Sequence, residues 1–141
     1  MILKNIGVIH SPYKTLDEAP FQGEGISKIE ISQNYVRGLK DIETFSHLHV
    51  FYWMDKSTGF SLSVNTPWDP KPHGLFSTRT PNRPNPIGYS VVRLVRREKN
   101  VLVVEGLDAV EGTNVIDIKP YVPKIDCKDA NSGWLKGKFG R

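Results

Sequence analysis

The chain has 141 residues, 38% of them hydrophobic and 24% charged, a balance that fits one globular domain and excludes a disordered or fibrous chain. Its single cysteine, Cys127, rules out an internal disulfide framework and a multi-cysteine zinc site and fits a reducing compartment. The formal charge is +4, and residues 124–141 supply +3 of it through Lys124, Lys128, Lys136, Lys138 and Arg141 against Asp126 and Asp129. Such a tail would draw a polyanion, although a merely solvated basic tail has the same composition.

Taken in chain order, Ile2 to Ile9 is the first β-like run. The start MILKNIGVIHSP is interrupted too soon for a signal peptide, and no apolar run approaches the roughly 18 residues of a membrane span, so a cytoplasmic protein is expected. Pro12 to Gly23 is polar and ends in Phe21, Gln22 and Gly23. A nucleoside can stack on Phe21 and bond to the Gln22 amide, but a plain polar loop accounts for the same residues equally well.

Ser27 to Ile31 reads as a second strand, and Gln33 to Phe45 as a helical segment with Ser32 as N-cap, weakened by Gly38. His47 to Met54 is a third strand. His47 and His49 share one face of it and make half a metal site at most, because His10 and His73 lie in distant loops and no carboxylate has ligand spacing. No metal is expected, and Phe51 and Trp53 read as core.

Phe60 to Val64 is a fourth strand. Residues 65–88 then hold six of the ten prolines, which points to a long loop of fixed shape that neither joins a ladder nor moves freely. Within it, Gly74 to Gly88 (GLFSTRTPNRPNPIG) sets Arg79, Arg83, three hydroxyls and two amides around prolines. Guanidinium forks bind phosphate or carboxylate, and proline stiffness lowers the entropy cost of holding them ready. A structural cross-connection is the competing account.

Tyr89 to Arg96 and Val101 to Leu107 flank a turn at residues 98–100 and predict a hairpin; Val115 to Ile118 is the last strand. Asp108 and Asp117 stand at strand ends, where a carboxylate orients a ligand hydroxyl or a cation, or equally often caps a turn. Trp134 either docks the tail or stacks on a base, and docking is favoured. The expected fold is mainly β: a small closed β-barrel with one or two short helices and a long Pro-rich loop. The sequence contains no Walker A, GxSxG, HExxH or CxxC pattern, and no GxGxxG after a strand.

Several runs together give the chain a family likeness: Ile6-Gly7-Val8-Ile9-His10-Ser11-Pro12-Tyr13-Lys14, Ala19-Pro20-Phe21-Gln22, Arg37-Gly38-Leu39 with Phe45-Ser46-His47-Leu48, Arg79 to Gly88, Gly106-Leu107-Asp108, and Asp117 to Pro123. The sequence resembles the TsaA-like, TrmO-type family of S-adenosylmethionine-dependent tRNA methyltransferases. The likeness runs to Pro123, so residues 1–123 are expected to form the barrel domain and 124–141 a basic C-terminal tail. Bacterial members of the family carry a C-terminal extension where this sequence has that tail.

The resemblance implies a dimeric β-barrel that binds S-adenosyl-L-methionine near the subunit interface and methylates N6 of threonylcarbamoyladenosine, the modified purine just 3′ of the tRNA anticodon. It implies cofactor contacts at Pro20, Phe21, Gln22, Asp55, Lys56, Arg79, Tyr89, Leu107 and Asp108, although a His commonly stands at the position of Asp55. Asp108 is also the candidate general base. Arg83 and Asn85 are expected to grip the target nucleotide, Arg83 through a phosphate or the threonyl carboxylate. A cofactor-binding module, or a small-molecule methyltransferase that does not act on tRNA, is the alternative.

Overall fold

The computed structural model describes residues 1–15, 17–18 and 25–138. Among these, eight strands occur: β1 (Gly7–His10), β2 (Ile26–Ile31), β3 (His47–Trp53), β4 (Ser63–Thr66), β5 (Asp69–Gly74), β6 (Ile87–Glu98), β7 (Val101–Glu105) and β8 (Asn114–Pro120). Six of them close an antiparallel barrel in the order β1-β2-β7-β6-β3-β8, and β4 and β5 form a separate two-stranded ribbon.

The barrel follows from period-two alternation. In β2, Ser27, Ile29 and Ile31 point inward while Ile26, Lys28 and Glu30 face solvent. Ile9, Ile29, Leu48, Val50, Val92, Leu102, Val104, Leu107 and Val115 are fully buried and fill the interior. Each such side chain contributes roughly 1.5–3 kcal/mol on burial. The expected β6–β7 hairpin is present and turns through Lys99, which takes a positive φ of 57°.

The register gathers the loops by barrel end. His10 pairs with Lys28, Ile26 with Glu105, and Trp53 with both Ile87 and Asn114. The β1–β2, β3–β4, β5–β6 and β7–β8 connections therefore emerge together at one mouth of the barrel. Gly106 N donates to Gly25 O, Glu111 N to Tyr13 O and Met54 N to Pro86 O, tying these connections to one another.

Several expectations are corrected. Gln33 to Phe45 forms two 3-10 segments, Gln33–Leu39 and Ile42–Thr44, broken where Asp41 takes a left-handed φ of 70°, and Ser32 makes no side-chain cap. Phe51 and Trp53 are on the outer face of β3 with His47 and His49, because Leu48, Val50 and Tyr52 take the inward positions. The proline-rich stretch does join a ladder: β5 (DPKPHG) pairs with β4 through Asp69, His73 and Gly74. A strand in a two-stranded ribbon is paired on one edge only, so Pro70 and Pro72 need not donate. The first strand begins at Gly7, not Ile2.

The tail also has structure. After the short α1 (Pro123–Asp126) it runs back toward the ribbon. There the Trp134 ring stacks on His73 with centroids 3.7 Å apart, and its Nε1 donates to Ser77 O at 2.8 Å. Docking, the favoured role for Trp134, is what these contacts show.

Candidate functional site

At the loop-bearing mouth, one buried polar cluster closes the barrel. Tyr52, on β3, donates its hydroxyl to Asp108 Oδ1; Ser90, on β6, donates to the same oxygen at 2.9 Å, and the two hydroxyls lie 3.1 Å apart. Burial holds the Tyr52 phenol well above its ordinary value, and the Asp108 charge adds to the rise, so Tyr52 remains a hydrogen-bond donor. The cluster depends on the glycine of the Pro-Ile-Gly run, since Gly88 pairs with Tyr52 and a Cβ there would stand 2.6 Å from ring carbons of Tyr52.

Asp108 is half-buried and fixed by two hydroxyls, which suits a carboxylate that positions a ligand group. Leu107, beside it, is fully buried in the core, so contact with a ligand from this residue falls to its backbone.

The β3–β4 and β5–β6 connections are stitched together. Ser57 Oγ donates to Pro81 O at 2.9 Å and to Asn82 Oδ1 at 3.0 Å, which sets the exposed turn residues Asp55 and Lys56 against the Arg-rich loop. Arg79 is exposed, and its charge is felt at the Tyr89 phenol. Burial holds that phenol above its ordinary value, Arg79 opposes the rise, and Asp126 adds to it. Arg83 is used within the loop: its Nη1 donates to Thr78 O at 2.8 Å and Thr80 O at 3.2 Å, and its guanidinium carbon lies 5.9 Å from the Phe76 ring centre. Asn85 is exposed nearby, its carbonyl accepting from Ile87 N. Pro20, Phe21 and Gln22 lie outside the described residues.

A second set of contacts was hidden from sequence reasoning. His49 Nδ1 is 2.9 Å from Tyr89 Oη, the two rings stack at 5.6 Å, and His49 Nε2 is 2.9 Å from Asp126 Oδ2. The His49 hydrogen bond, with a second from Val122 N, holds the Asp126 carboxyl below its ordinary range. These residues line an open groove of roughly 660 Å³ with Phe51, Lys119, Pro120, Val122 and Ile125. Only the His47/His49 spacing hinted at it, and Asp126 is 77 residues away from His49. Among the described residues, no three His, Cys, Asp or Glu side chains come together as a metal site.

The mouth of this barrel thus assembles an exposed guanidinium, a fixed carboxylate, an exposed phenol and a proline-stiffened loop. A family model for the tRNA-methyltransferase O N-terminal domain matches residues 8–127, and the chain belongs to that family. It is 48% identical over 136 residues to an S-adenosyl-L-methionine-binding protein of Archaeoglobus fulgidus, covering 94% of this chain and 98% of that protein. It is 34% identical over 134 residues to the tRNA (adenine(37)-N6)-methyltransferase of Escherichia coli, covering 85% of this chain and 57% of that one. The crystal structure of TrmO from Pseudomonas aeruginosa superposes with a TM-score of 0.80 at 33% identity, over 94% of this chain and 61% of that one. The chain spans only 38% of another Archaeoglobus fulgidus relative, to which it is 49% identical.

Proposed function

We propose that the chain is an S-adenosyl-L-methionine-dependent methyltransferase acting on N6 of threonylcarbamoyladenosine next to the tRNA anticodon, as a cytoplasmic homodimer. The observation that carries this reading is the convergence of Arg79, Tyr89, Asp108 and the Asp55-Lys56 turn at one barrel mouth. Family membership and the names of the relatives support it. The residues fit the cofactor chemically: a guanidinium for its carboxylate, the Asp108 carboxylate for a ribose hydroxyl or the ammonium, and an exposed aromatic ring at Tyr89 for its base.

When bound, the cofactor supplies an electrophilic methyl group on a sulfonium. The chain's task is then alignment, because an in-line displacement gains most from holding the two reactants in register. The Tyr52–Ser90–Asp108 hydrogen bonds fix the carboxylate, and the Ser57 and Arg83 hydrogen bonds fix the Arg-rich loop. Asp108 is proposed to orient a ligand, with proton removal from N6 left to it only as the weaker assignment. Asn85, exposed on the same loop, is proposed to contact the target nucleotide.

Ile87, Tyr89 and Val91 lie in alternation on the outer face of β6 and are 41%, 41% and 39% exposed, which supports a dimer formed through this face. Sedimentation should then show a dimer that Val91→Glu disrupts. The reading without tRNA finds support in the Archaeoglobus fulgidus relative named for cofactor binding alone. Salt separates the two: phosphate contacts make tRNA affinity fall steeply as salt rises, whereas a cofactor-only module binds no tRNA at low salt. Calorimetry that finds no S-adenosyl-L-methionine binding would refute both.

A further inference from the structure

Phe76 is 76% exposed, yet it stands on a turn tied down by several hydrogen bonds. It is the middle residue of a 3-10 segment, Leu75–Ser77, whose first residue is buried to 1% exposure and donates its backbone N–H to Leu62 O. Ser77 O accepts from Trp134 Nε1, and Thr78 O accepts from Arg83 Nη1. The turn is held from the core, from the tail and from the loop, and none of these anchors covers the aromatic ring. The Arg83 guanidinium approaches one side of it, and most of the rest faces solvent.

A single exposed apolar side chain is ordinary on a protein surface; Phe76 differs in that its turn is pinned by hydrogen bonds to Leu62, Trp134 and Arg83 and a guanidinium lies against one side of its ring. The charges around it say what binds. Arg79 follows three residues on and is exposed, Lys56 sits on the turn stitched to the same loop by Ser57, and Lys136 lies two residues beyond Trp134. On the ribbon, hydrogen bonds from Lys71 N and His73 hold the Asp69 carboxyl below its ordinary range, and the Lys138 charge adds to the fall. An apolar ring against a guanidinium, on a turn tied to a lysine-bearing tail, fits a polyanion with planar bases, since single-stranded nucleic acids bind through aromatic stacking combined with phosphate contacts.

We propose that Phe76, backed by Arg83, is a stacking platform for an unpaired base of the tRNA anticodon loop, with Lys136 on a flanking phosphate. This rests on the tRNA methyltransferase reading and assigns Arg83 a supporting role in place of a direct grip on the substrate. The platform binds the RNA strand and leaves cofactor affinity untouched. The rigid turn makes the ring preorganised, so little entropy is lost when the base arrives.

The experiment measures binding of an anticodon stem-loop carrying threonylcarbamoyladenosine to full-length wild-type, Phe76→Ala and Phe76→Trp proteins. The thermal midpoint and S-adenosyl-L-methionine affinity are measured in parallel. Phe76→Ala should weaken RNA binding about 5- to 150-fold, with folding and cofactor affinity preserved, and Phe76→Trp should restore it. Undiminished RNA binding by Phe76→Ala overturns the platform, as does a loss confined to the cofactor. A wild-type protein that neither binds nor methylates the RNA sinks the tRNA reading itself, a different outcome from an active wild type matched by an equally active Phe76→Ala.

Discussion

Gly88 and Tyr52 face each other across β6 and β3 so closely that a methyl group on Gly88 would stand 2.6 Å from carbons of the Tyr52 ring. The glycine is therefore what allows a buried phenol to reach Asp108 at the barrel mouth. Gly88→Ala is expected to push the ring aside and destabilise the fold by about 1–3 kcal/mol, the usual cost of overpacking. Urea denaturation would show this as a lower midpoint, and an unchanged midpoint would mean the mouth is plastic.

Tyr52→Phe tests the same cluster without the steric change. It removes the hydroxyl and leaves Asp108 with Ser90 as its hydrogen-bond partner, at an expected cost of about 1–3 kcal/mol. Cofactor affinity should fall with it, because Asp108 loses one of the two bonds that orient it. Calorimetry with S-adenosyl-L-methionine checks this, and full affinity would remove Asp108 from the cofactor contacts.

The tail reaches the candidate site through His49, which touches both Tyr89 and Asp126. Asp126→Ala is expected to weaken cofactor binding about 2- to 10-fold, as for one lost hydrogen bond. Trp134→Ala should free the tail and raise hydrogen exchange across residues 123–138 without unfolding the barrel. A tail that only attracts a polyanion, or is only solvated, predicts no change in cofactor affinity for Asp126→Ala.

His10 gives a pH prediction. Its Nε2 lies 2.9 Å from Glu30 and its Nδ1 3.1 Å from Glu111. The Glu30 hydrogen bond raises its pKa above the ordinary 6.5 against partial desolvation, and Glu111 adds to the rise. A raised pKa stabilises the fold fully below pH 6.5 and loses that contribution as pH climbs through the folded value. The group is solvent-accessible, so the contribution is at most about 1 kcal/mol. The stability gap between wild type and His10→Gln should therefore be largest near pH 6 and shrink by pH 8; a gap that grows with pH contradicts the assignment.

Much of the barrel was legible because its strands alternate inward apolar and outward polar residues, as Ile29 and Lys28 do in β2. The exceptions have physical causes. Alternation counted from Leu48 puts Phe51 and Trp53 outside, and their size suggested otherwise. Pro70 and Pro72 argued against a strand, but one unpaired edge admits them. At the candidate site, the composition of the Gly74 to Gly88 loop singled out Arg79 and a strand end singled out Asp108, while Tyr89 was named only through the family resemblance. Tyr52, Ser90, His49 and Asp126 were not legible, since their roles arise from partners tens of residues away that only barrel closure brings near.

The most direct test of the central claim is to incubate the full chain with isotopically labelled S-adenosyl-L-methionine and tRNA that carries or lacks the threonylcarbamoyl group, then identify the labelled nucleoside by mass. The account predicts label on N6 of threonylcarbamoyladenosine and none on the unmodified tRNA. Equal labelling of both tRNAs, or label on neither, would contradict it.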